Sequence, residues 1–226
     1  MELRSRLRIS VIVFLLAFFI TYAFSDRILV FLWAHFFGQF NLEQGEISLL
    51  ATSVMSGFVT QLNISLILAA TASIPVFIYE MFLFIEPALN KKHRLIAAKI
   101  ILSASVLFVA GAAFVYYIML PMLLEFFIMN NTSLGISNYF SVEAFFEFIM
   151  MNMFIGGIIF QTPLIITIAN RIGILPKEWL LKSRRLIYIA ILILAGILTP
   201  DHSIISQLIL GLAMAILFEI SMLFCR

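Results

Sequence analysis

A few polar side chains interrupt the long apolar segments of this 226-residue chain, and they are the residues best placed to do chemistry. Because a carboxylate near the centre of a bilayer costs roughly 2.5–3.5 kcal/mol, such a group needs a partner or a hydrated cavity. Gln161, two residues before Pro163, is expected to hydrogen-bond to a neighbouring helix of this chain or of a partner subunit. Glu219 lies seven residues from the last residue and could instead reach the cytoplasmic interface. The full set is Glu80, Gln161, Thr199, Gln207 and Glu219.

These residues are not accompanied by any hydrolase or nucleotide-binding signature. The sequence has no HExxH, no GxSxG, no pair of membrane aspartates and no glycine-rich phosphate loop. His35, His93 and His202 are predicted on different sides of the bilayer, so they cannot form one metal site. Cys225 is the lone cysteine, which excludes internal disulfides and a cysteine metal cage. We therefore predict no catalytic residues, no metal, no cofactor and no nucleic-acid partner, and we do not expect an enzyme.

The composition places most of the chain in a lipid bilayer. Hydrophobic residues make up 63% of the sequence and charged residues only 12%, and the mean hydropathy is +1.13. A water-soluble domain could not cover itself with so little polar surface. We predict an all-α polytopic membrane protein with a single domain covering residues 1–226.

Apolar runs of suitable length predict six transmembrane helices. A basic start followed by an apolar run could be a cleaved signal peptide, but no convincing small-x-small cleavage site follows and five more apolar segments come after it, so we favour an uncleaved first span. The fifth and sixth spans are predicted to be short. About 14 residues in the fifth give roughly 21 Å, so it should thin the bilayer locally or lean on longer neighbours. The predicted spans are residues 9–25, 58–86, 100–120, 148–170, 186–199 and 203–225.

The segments between the spans carry their own signals. Arg27–Phe40 is predicted to turn into an interfacial segment, and a short outer helix is predicted to end near Gly57. Pro75 should kink the second span and Pro121 should close the third. Met122–Glu147 is predicted to be an outer loop. A close-packing patch is expected at Gly111, Ala112 and Ala113.

Lysine and arginine are distributed very unevenly across this layout. Thirteen of the 14 basic residues fall on one side of the membrane, against Arg27 alone on the other. By the positive-inside rule, both termini then lie in the cytoplasm. The cytoplasmic groups are the amino end (Arg4, Arg6, Arg8), two connections (Lys91, Lys92, Arg94, Lys99; Arg171, Lys177, Lys182, Arg184, Arg185) and Arg226.

Four motifs occur in a recognisable order along the chain. ELRSRL begins at Glu2, and YEMFLFIEPALNKKHR covers the end of the second span and the connection after it. FQTP covers Phe160–Pro163, and LTPDHSIISQLILGLAMAILFEI covers Leu198–Ile220. Together they make the chain resemble the twin-arginine translocase TatC family over essentially its whole length, with the same six-span topology.

The resemblance implies a function in protein export. Such a protein would be the core receptor that binds signal peptides with two adjacent arginines at the cytoplasmic face. It would export folded proteins using the proton-motive force, together with small single-span Tat subunits of the TatA/TatB type, and would be a homo-oligomer within a larger complex. The implied location is the cell inner (cytoplasmic) membrane, with the mitochondrial inner or thylakoid membrane as the alternative.

The resemblance also assigns a signal-peptide site. Carboxylates are the natural acceptors of a guanidinium pair, and one family glutamate corresponds to Glu2. The other falls on His93, which cannot replace a carboxylate and, if protonated, would repel arginine. Either Glu86 or Glu80 supplies the missing charge, or both merely end a helix. The implied site comprises Glu2, Arg4, Phe84, Glu86, Leu89, His93 and Arg94.

A second set of residues is implied inside the membrane. By the same resemblance, Gln161, Thr199 and Gln207 would form a polar seam where the partner subunits' helices dock. Pro163, Asp201 and Glu219 belong to this intramembrane set, although the family's LTPPD reads LTPDH here, so that Asp201 is shifted by one position. Asn63 and His35 stand where the family commonly has lysine and proline.

Two other functions remain open from the residues alone. A small secondary transporter with a midplane substrate site usually shows two similar halves, and we find no repeat between residues 1–113 and 114–226. A purely structural scaffold would bind neither a small solute nor a signal peptide.

Overall fold

The computed structural model describes residues 2–39, 48–85, 94–171, 173–199 and 204–224. For residues 2–7, 35–39, 48, 79, 81–85, 94–101 and 224 it describes the course of the helix or strand but not the side chain. The described residues form ten α-helices and two very short strands, which confirms the all-α prediction.

The helices follow one another with few extended segments between them. They are α1 (Glu2–Ala23), α2 (Ser25–Gln39), α3 (Ser56–Ile85), α4 (Arg94–Phe114), α5 (Leu120–Ser133), α6 (Val142–Ile159), α7 (Thr162–Arg171), α8 (Lys177–Lys182), α9 (Arg184–Leu198) and α10 (Ile204–Phe224). A π-helical turn, Val115–Met119, joins α4 to α5. The strands are β1 (Ser48–Leu50) and β2 (Tyr139–Ser141).

Four helical stretches in the described residues are long and apolar enough to cross a membrane: Ser56–Ile78, Leu102–Ser133, Val142–Arg171 and Ile204–Leu223. The bent pair α1 and α2 gives a fifth if it counts as one span. Helix α9 has 15 residues, and is as short as the fifth span was predicted to be. Helix α10 has 21 residues, so only the fifth of the predicted spans is short. The polytopic architecture is confirmed, whereas the count of six and the cytoplasmic termini stay predictions.

The first two helices meet at a sharp bend. The axis turns by 64° between Arg8–Ala23 and Ser25–Ala34. At this bend Ser25 Oγ donates a hydrogen bond to Tyr22 O at 2.8 Å. Such bonds from a side chain to the backbone compete with the regular backbone hydrogen bonds of a helix. Helix α2 therefore leaves the direction of the first span, as the interfacial prediction requires. Phe40 lies outside the described residues.

The segment before α3 differs from the prediction of a short outer helix ending near Gly57. Its described part is strand β1, which pairs in parallel with β2, so that Ser48 faces Tyr139 and Leu50 faces Ser141. Ser56 then starts α3, and its Oγ accepts a hydrogen bond from the backbone of Ser53 at 2.9 Å. The outer helix prediction failed because a pairing partner 91 residues away decides the local structure. Helix α3 continues through Pro75.

The prediction that Pro121 closes the third span is wrong, and so is the outer loop over Met122–Glu147. Pro121 lies in the first turn of α5, immediately after the π-helical turn. A π-turn shifts the hydrogen-bonding register of the helix, so a residue without an N–H group is accommodated there. The chain stays helical to Ser133, turns at Gly135 with φ +71°, forms β2 and resumes as a helix at Val142.

The fourth span begins earlier than predicted and is broken. Helix α6 starts at Val142, rather than at residue 148, and ends at Ile159. Phe160 and Gln161 interrupt it, and α7 continues to Arg171. The break falls at the FQTP motif, where Pro163 removes one backbone donor from the helix ladder.

The helices pack as two connected groups. Helix α3 packs against α1, α4 and α6, and α6 also packs against α4. Helix α10 packs against α7 and α9. Side chains such as Leu120, Leu123 and Ile149 are completely buried, whereas Phe19, Val109 and Leu223 are more than 60% exposed. An apolar exterior of this kind is expected of a protein surrounded by lipid.

Candidate functional site

Two side-chain contacts show the direction of α3 relative to the first two helices. Thr21 Oγ1 donates to Ser65 O at 3.0 Å, and Gln61 Nε2 donates to Asp26 Oδ1. Moving forward along the first helices therefore means moving backward along α3, so α1 and α3 are antiparallel. The amino end of α1, which contains Glu2, lies at the same end of the bundle as the carboxyl end of α3.

Four of the predicted signal-peptide residues lie in described helix ends. Glu2 and Arg4 belong to the first turns of α1, Phe84 to the last turn of α3, and Arg94 begins α4. Their side chains are not described. Glu86, Leu89 and His93 lie outside the described residues, as does Asp201 of the intramembrane set. Glu80, one of the two candidates for the missing charge, is half-buried near the carboxyl end of α3.

Gln161 is buried in the break between α6 and α7. Its side chain is 2% exposed, and Nε2 donates to the backbone oxygens of Ala104 at 3.1 Å and Gly157 at 3.3 Å. The expected hydrogen bond to a neighbouring helix of this chain is therefore confirmed. The amide oxygen Oε1 is buried without a partner in the described structure. An unsatisfied buried acceptor costs free energy, so this oxygen lowers the stability gained from the two hydrogen bonds of the nitrogen.

Glycines bring α4 close enough for this hydrogen bond. A Cβ atom at Gly111 would lie 2.5 Å from the backbone oxygen of Gly156, and one at Gly156 would lie 2.3 Å from Cγ2 of Val115. A Cβ atom at Gly157 would collide with the ring of Phe108 at 2.3 Å. The close packing predicted at Gly111 is therefore confirmed with Gly156 of α6 as its partner, whereas Gly157 of α6 packs against Phe108 of α4. Small residues of this kind are how membrane helices approach each other.

Thr199 and Gln207 lie where α9 meets α10. Thr199 is 1% exposed and its Oγ1 donates back to Gly196 O at 3.4 Å. Gln207 Nε2 donates to Leu192 O at 3.0 Å, so the amide of α10 reaches across to α9. Gly196 leaves the space for it, because a Cβ atom there would lie 2.9 Å from that nitrogen. Gln207 is half-buried and remains accessible from one side.

Two residues of α9 hold the carboxylate of Glu219. Arg184 Nη2 lies 2.8 Å from Glu219 Oε2, and the hydroxyl of Tyr188 donates to Oε1. Both side chains of the ion pair are partly exposed, at 43% for Arg184 and 41% for Glu219. The ring of Tyr188 packs edge-on against Phe218, with centroids 6.0 Å apart.

The predicted polar seam is thus divided between two helix junctions. Gln161 is bonded to α4 and α6, whereas Gln207 and Glu219 are bonded to α9. Pro163 is buried beside Gln161 and belongs to the first junction. The sequence did not identify Arg184 and Tyr188 as partners of Glu219. The sequence contained one signal for this contact: Arg184 and Tyr188 are four residues apart, and residues at that spacing lie on one face of a helix.

The chemistry of these residues is that of binding and assembly. The described residues contain no group of three or more metal-ligating side chains. The polar groups are amides, a hydroxyl and an ion-paired carboxylate, each bonded to backbone or to a neighbouring helix. The fold and the site define a polytopic α-helical membrane protein in which such groups are placed between packed helices.

Comparison with known proteins identifies the family. The family model of the Sec-independent protein translocase protein (TatC) matches residues 1–212. The Sec-independent protein translocase protein TatC of Escherichia coli K12 is 30% identical over 225 residues, covering 100% of this chain and 85% of the relative. TatCy of Bacillus subtilis 168 is 27% identical, covering 100% and 86%. The chloroplastic protein of Arabidopsis thaliana is 29% identical, covering 93% and 60%. The chain belongs to the TatC family.

Solved structures agree with this membership. A crystal structure of the twin arginine translocase receptor TatC superposes on this chain with a TM-score of 0.81 and 28% sequence identity. The superposition covers 99% of this chain and 96% of that one. A second, in the detergent DDM, gives a TM-score of 0.83, covering 100% and 98%. The chain is a protein translocase component and not an enzyme. Its location is a bacterial inner membrane, with the thylakoid as the alternative that the chloroplast relative supports.

Proposed function

We propose that this chain is the receptor core of a twin-arginine protein export system. It binds signal peptides with two adjacent arginines at the cytoplasmic face and passes folded proteins across the membrane at the expense of the proton-motive force. The observation that carries the proposal is the family match over residues 1–212. The fold shared with crystal structures of twin arginine translocase receptors supports it.

The arrangement of α1 and α3 supports this proposal. These helices are antiparallel, so the segment with Glu2 and the segment with Phe84 and Arg94 approach the same end of the bundle. A carboxylate at that end can accept the forked hydrogen bonds of a guanidinium group. Because the apolar surroundings screen charges less than bulk water does, a few acidic groups are enough for recognition.

Two junctions offer sites for small single-span subunits. At the first junction the amide of Gln161 joins α6–α7 to α4, and at the second Gln207 of α10 is half-buried beside α9. A transmembrane helix carrying a hydroxyl or amide gains by docking there, because hydrogen bonds and close packing, rather than hydrophobicity, drive association in lipid. We include in the proposal that partners of the TatA/TatB type dock at these junctions and that several copies of the chain assemble in one complex. We also propose that the whole chain forms one six-span domain with both termini in the cytoplasm.

The test is site-specific photocrosslinking from position 2 to a twin-arginine precursor in membrane vesicles. We expect a crosslink that is lost when the two signal-peptide arginines are replaced by alanine. A photoprobe at Tyr139, in strand β2, is the matched control and should give no such crosslink. A precursor that fails to crosslink from position 2, or does so regardless of its arginines, would contradict the proposed receptor role.

A further inference from the structure

Helix α9 is attached to the rest of the fold along one narrow stripe. Ile191 and Ala195 are buried against α10, whereas Leu186, Ile193 and Ile197 are more than half exposed. The 15 residues of the helix give about 22 Å, which is less than the roughly 30 Å of a bilayer's hydrocarbon core. The length of α9 therefore does not fix its depth in the membrane. Contacts between α9 and α10 must set that depth.

Apolar packing alone specifies this attachment poorly. Between Leu186 and Leu198 the helix is composed of Leu, Ile, Ala, one Gly and one Tyr. Sliding it by one turn would exchange one aliphatic contact for another of similar volume, and such exchanges are tolerated in cores. Lipid tails offer the same apolar contacts, so no hydrophobic force favours one register. Directional polar contacts must select it.

Two such contacts are seen among the described residues of α9 and α10. At the amino end of α9, Arg184 and Tyr188 bind the two carboxylate oxygens of Glu219. Two turns further on, Gln207 Nε2 donates to Leu192 O at 3.0 Å. In the first contact, two donors one helical turn apart on α9 bind a single carboxylate of α10. The contact therefore fixes both the rotation of α9 and its depth relative to α10. A groove of about 400 Å³ opens beside it and is lined by Tyr188, Ala215, Ile216, Glu219, Ile220 and Leu223.

We propose that Glu219 is a positioning residue that sets the depth and rotation of α9 on α10 through Arg184 and Tyr188. By holding α9 in place it presents the accessible side of Gln207 to a docking helix, a consequence that rests on the proposed function. The positioning itself concerns contacts within the chain and can be measured without any partner.

A disulfide between α9 and α10 reports the register directly. A Cβ atom at Gly211 would lie 3.7 Å from Cβ of Ala195, within the roughly 3.5–4.5 Å that a disulfide spans. The nearest other atom, Cδ2 of Leu192 at 3.0 Å, is the end of a flexible side chain. Ala195→Cys with Gly211→Cys, in a Cys225→Ser chain, should therefore oxidise rapidly. A slip of one turn moves α9 by about 5.4 Å and removes the pair from bonding distance.

The experiment measures the rate of disulfide formation in membranes, by counting the thiols that still react with a large maleimide. Glu219→Ala should slow the rate roughly fivefold, because a charge-assisted pair is lost at a partly exposed site. Glu219→Gln keeps the shape of the side chain and the contact with Tyr188, and should have an intermediate effect. The charge swap Arg184→Glu with Glu219→Arg should restore the rate. Glu178→Ala, which removes an exposed carboxylate from α8, is the control and should change nothing.

The outcomes are decisive in both directions. Slowing by Glu219→Ala with recovery in the swapped pair would establish the positioning role, because a merely structural loss would not be repaired by reversed charges. A rate in Glu219→Ala and Glu219→Gln that equals the Glu178→Ala rate would overturn it. If the disulfide behaves as expected but small subunits fail to crosslink near Gln207, the docking part of the proposed function fails while the positioning role stands.

Discussion

The side-chain nitrogen of Gln161 lies 3.1 Å from the backbone oxygen of Ala104 and joins the broken α6–α7 helix to α4. The contact is possible only because Gly111, Gly156 and Gly157 let the two helices approach closely. The same amide leaves its oxygen buried without a partner in the described structure. One side chain thus secures the bundle and lies at a junction where we propose that partner helices dock.

Replacing this amide should separate the two roles. Gln161→Leu keeps the volume and removes the hydrogen bond to Ala104, at a cost of about 0.6–1 kcal/mol, which should not prevent membrane insertion. Association with the small single-span subunits should weaken, because loss of the bond to Ala104 loosens the junction of α4 with α6–α7 where we propose that they dock. Co-purification of those subunits measures the effect, and identical yields with the wild type would defeat the prediction.

Asn152→Leu is the matched control for that substitution. Asn152 is also a buried amide, 3% exposed, but its Nδ2 donates at 2.9 Å to Phe148 O of its own helix. Its loss should therefore leave subunit association unchanged. A similar defect in both variants would indicate a general loss of packing.

The glycine contact between α4 and α6 should tolerate no added methyl group. In Gly111→Ala, Cβ would meet the backbone oxygen of Gly156 at 2.5 Å, and a backbone atom cannot move away as a side chain can. Overpacking of this kind costs about 1–3 kcal/mol, so the midpoint of thermal unfolding in detergent should fall. Gly57→Ala has nothing within 4 Å of the added atom and should leave the midpoint unchanged or slightly raise it. Equal midpoints for Gly111→Ala and Gly57→Ala would show that the helices can separate at little cost.

The histidine at position 93 predicts that another carboxylate binds the second arginine of the signal peptide. If Glu86 or Glu80 does so, Glu86→Ala or Glu80→Ala should reduce crosslinking to a twin-arginine precursor about tenfold, which corresponds to about 1.4 kcal/mol. Glu147→Ala removes an exposed carboxylate from α6 and serves as the control. Unchanged crosslinking in both variants would mean that these glutamates only end their helix.

The asymmetry of basic residues predicts which loops face the cytoplasm. Val54 is fully exposed between β1 and α3, and Glu178 is exposed on α8. In a Cys225→Ser chain, Val54→Cys should react with an impermeant maleimide added to intact cells, whereas Glu178→Cys should react only after lysis. The reverse labelling pattern would place both termini outside.

Several features of this protein follow from local sequence. The apolar runs predict membrane helices, because a bilayer admits almost no other structure. The 15-residue length of α9 could be read from its flanking charges. Gly111 could be recognised as a packing site because only small residues let helix backbones approach. Four motifs in order, which begin at Glu2, Tyr79, Phe160 and Leu198, indicated the family that the match over residues 1–212 confirms.

Other features depend on groups far apart in the chain, and no local pattern contains them. Strand β1 replaced a predicted helix because β2 pairs with it, and α5 passed Pro121 because a π-turn precedes the proline. The sequence determined which residues enter the membrane, since that depends on transfer of each segment from water to lipid. Only the tertiary structure decided that Glu219 binds Arg184 and Tyr188 and that Gln161 reaches Ala104, because these bonds require two helices to meet in one register.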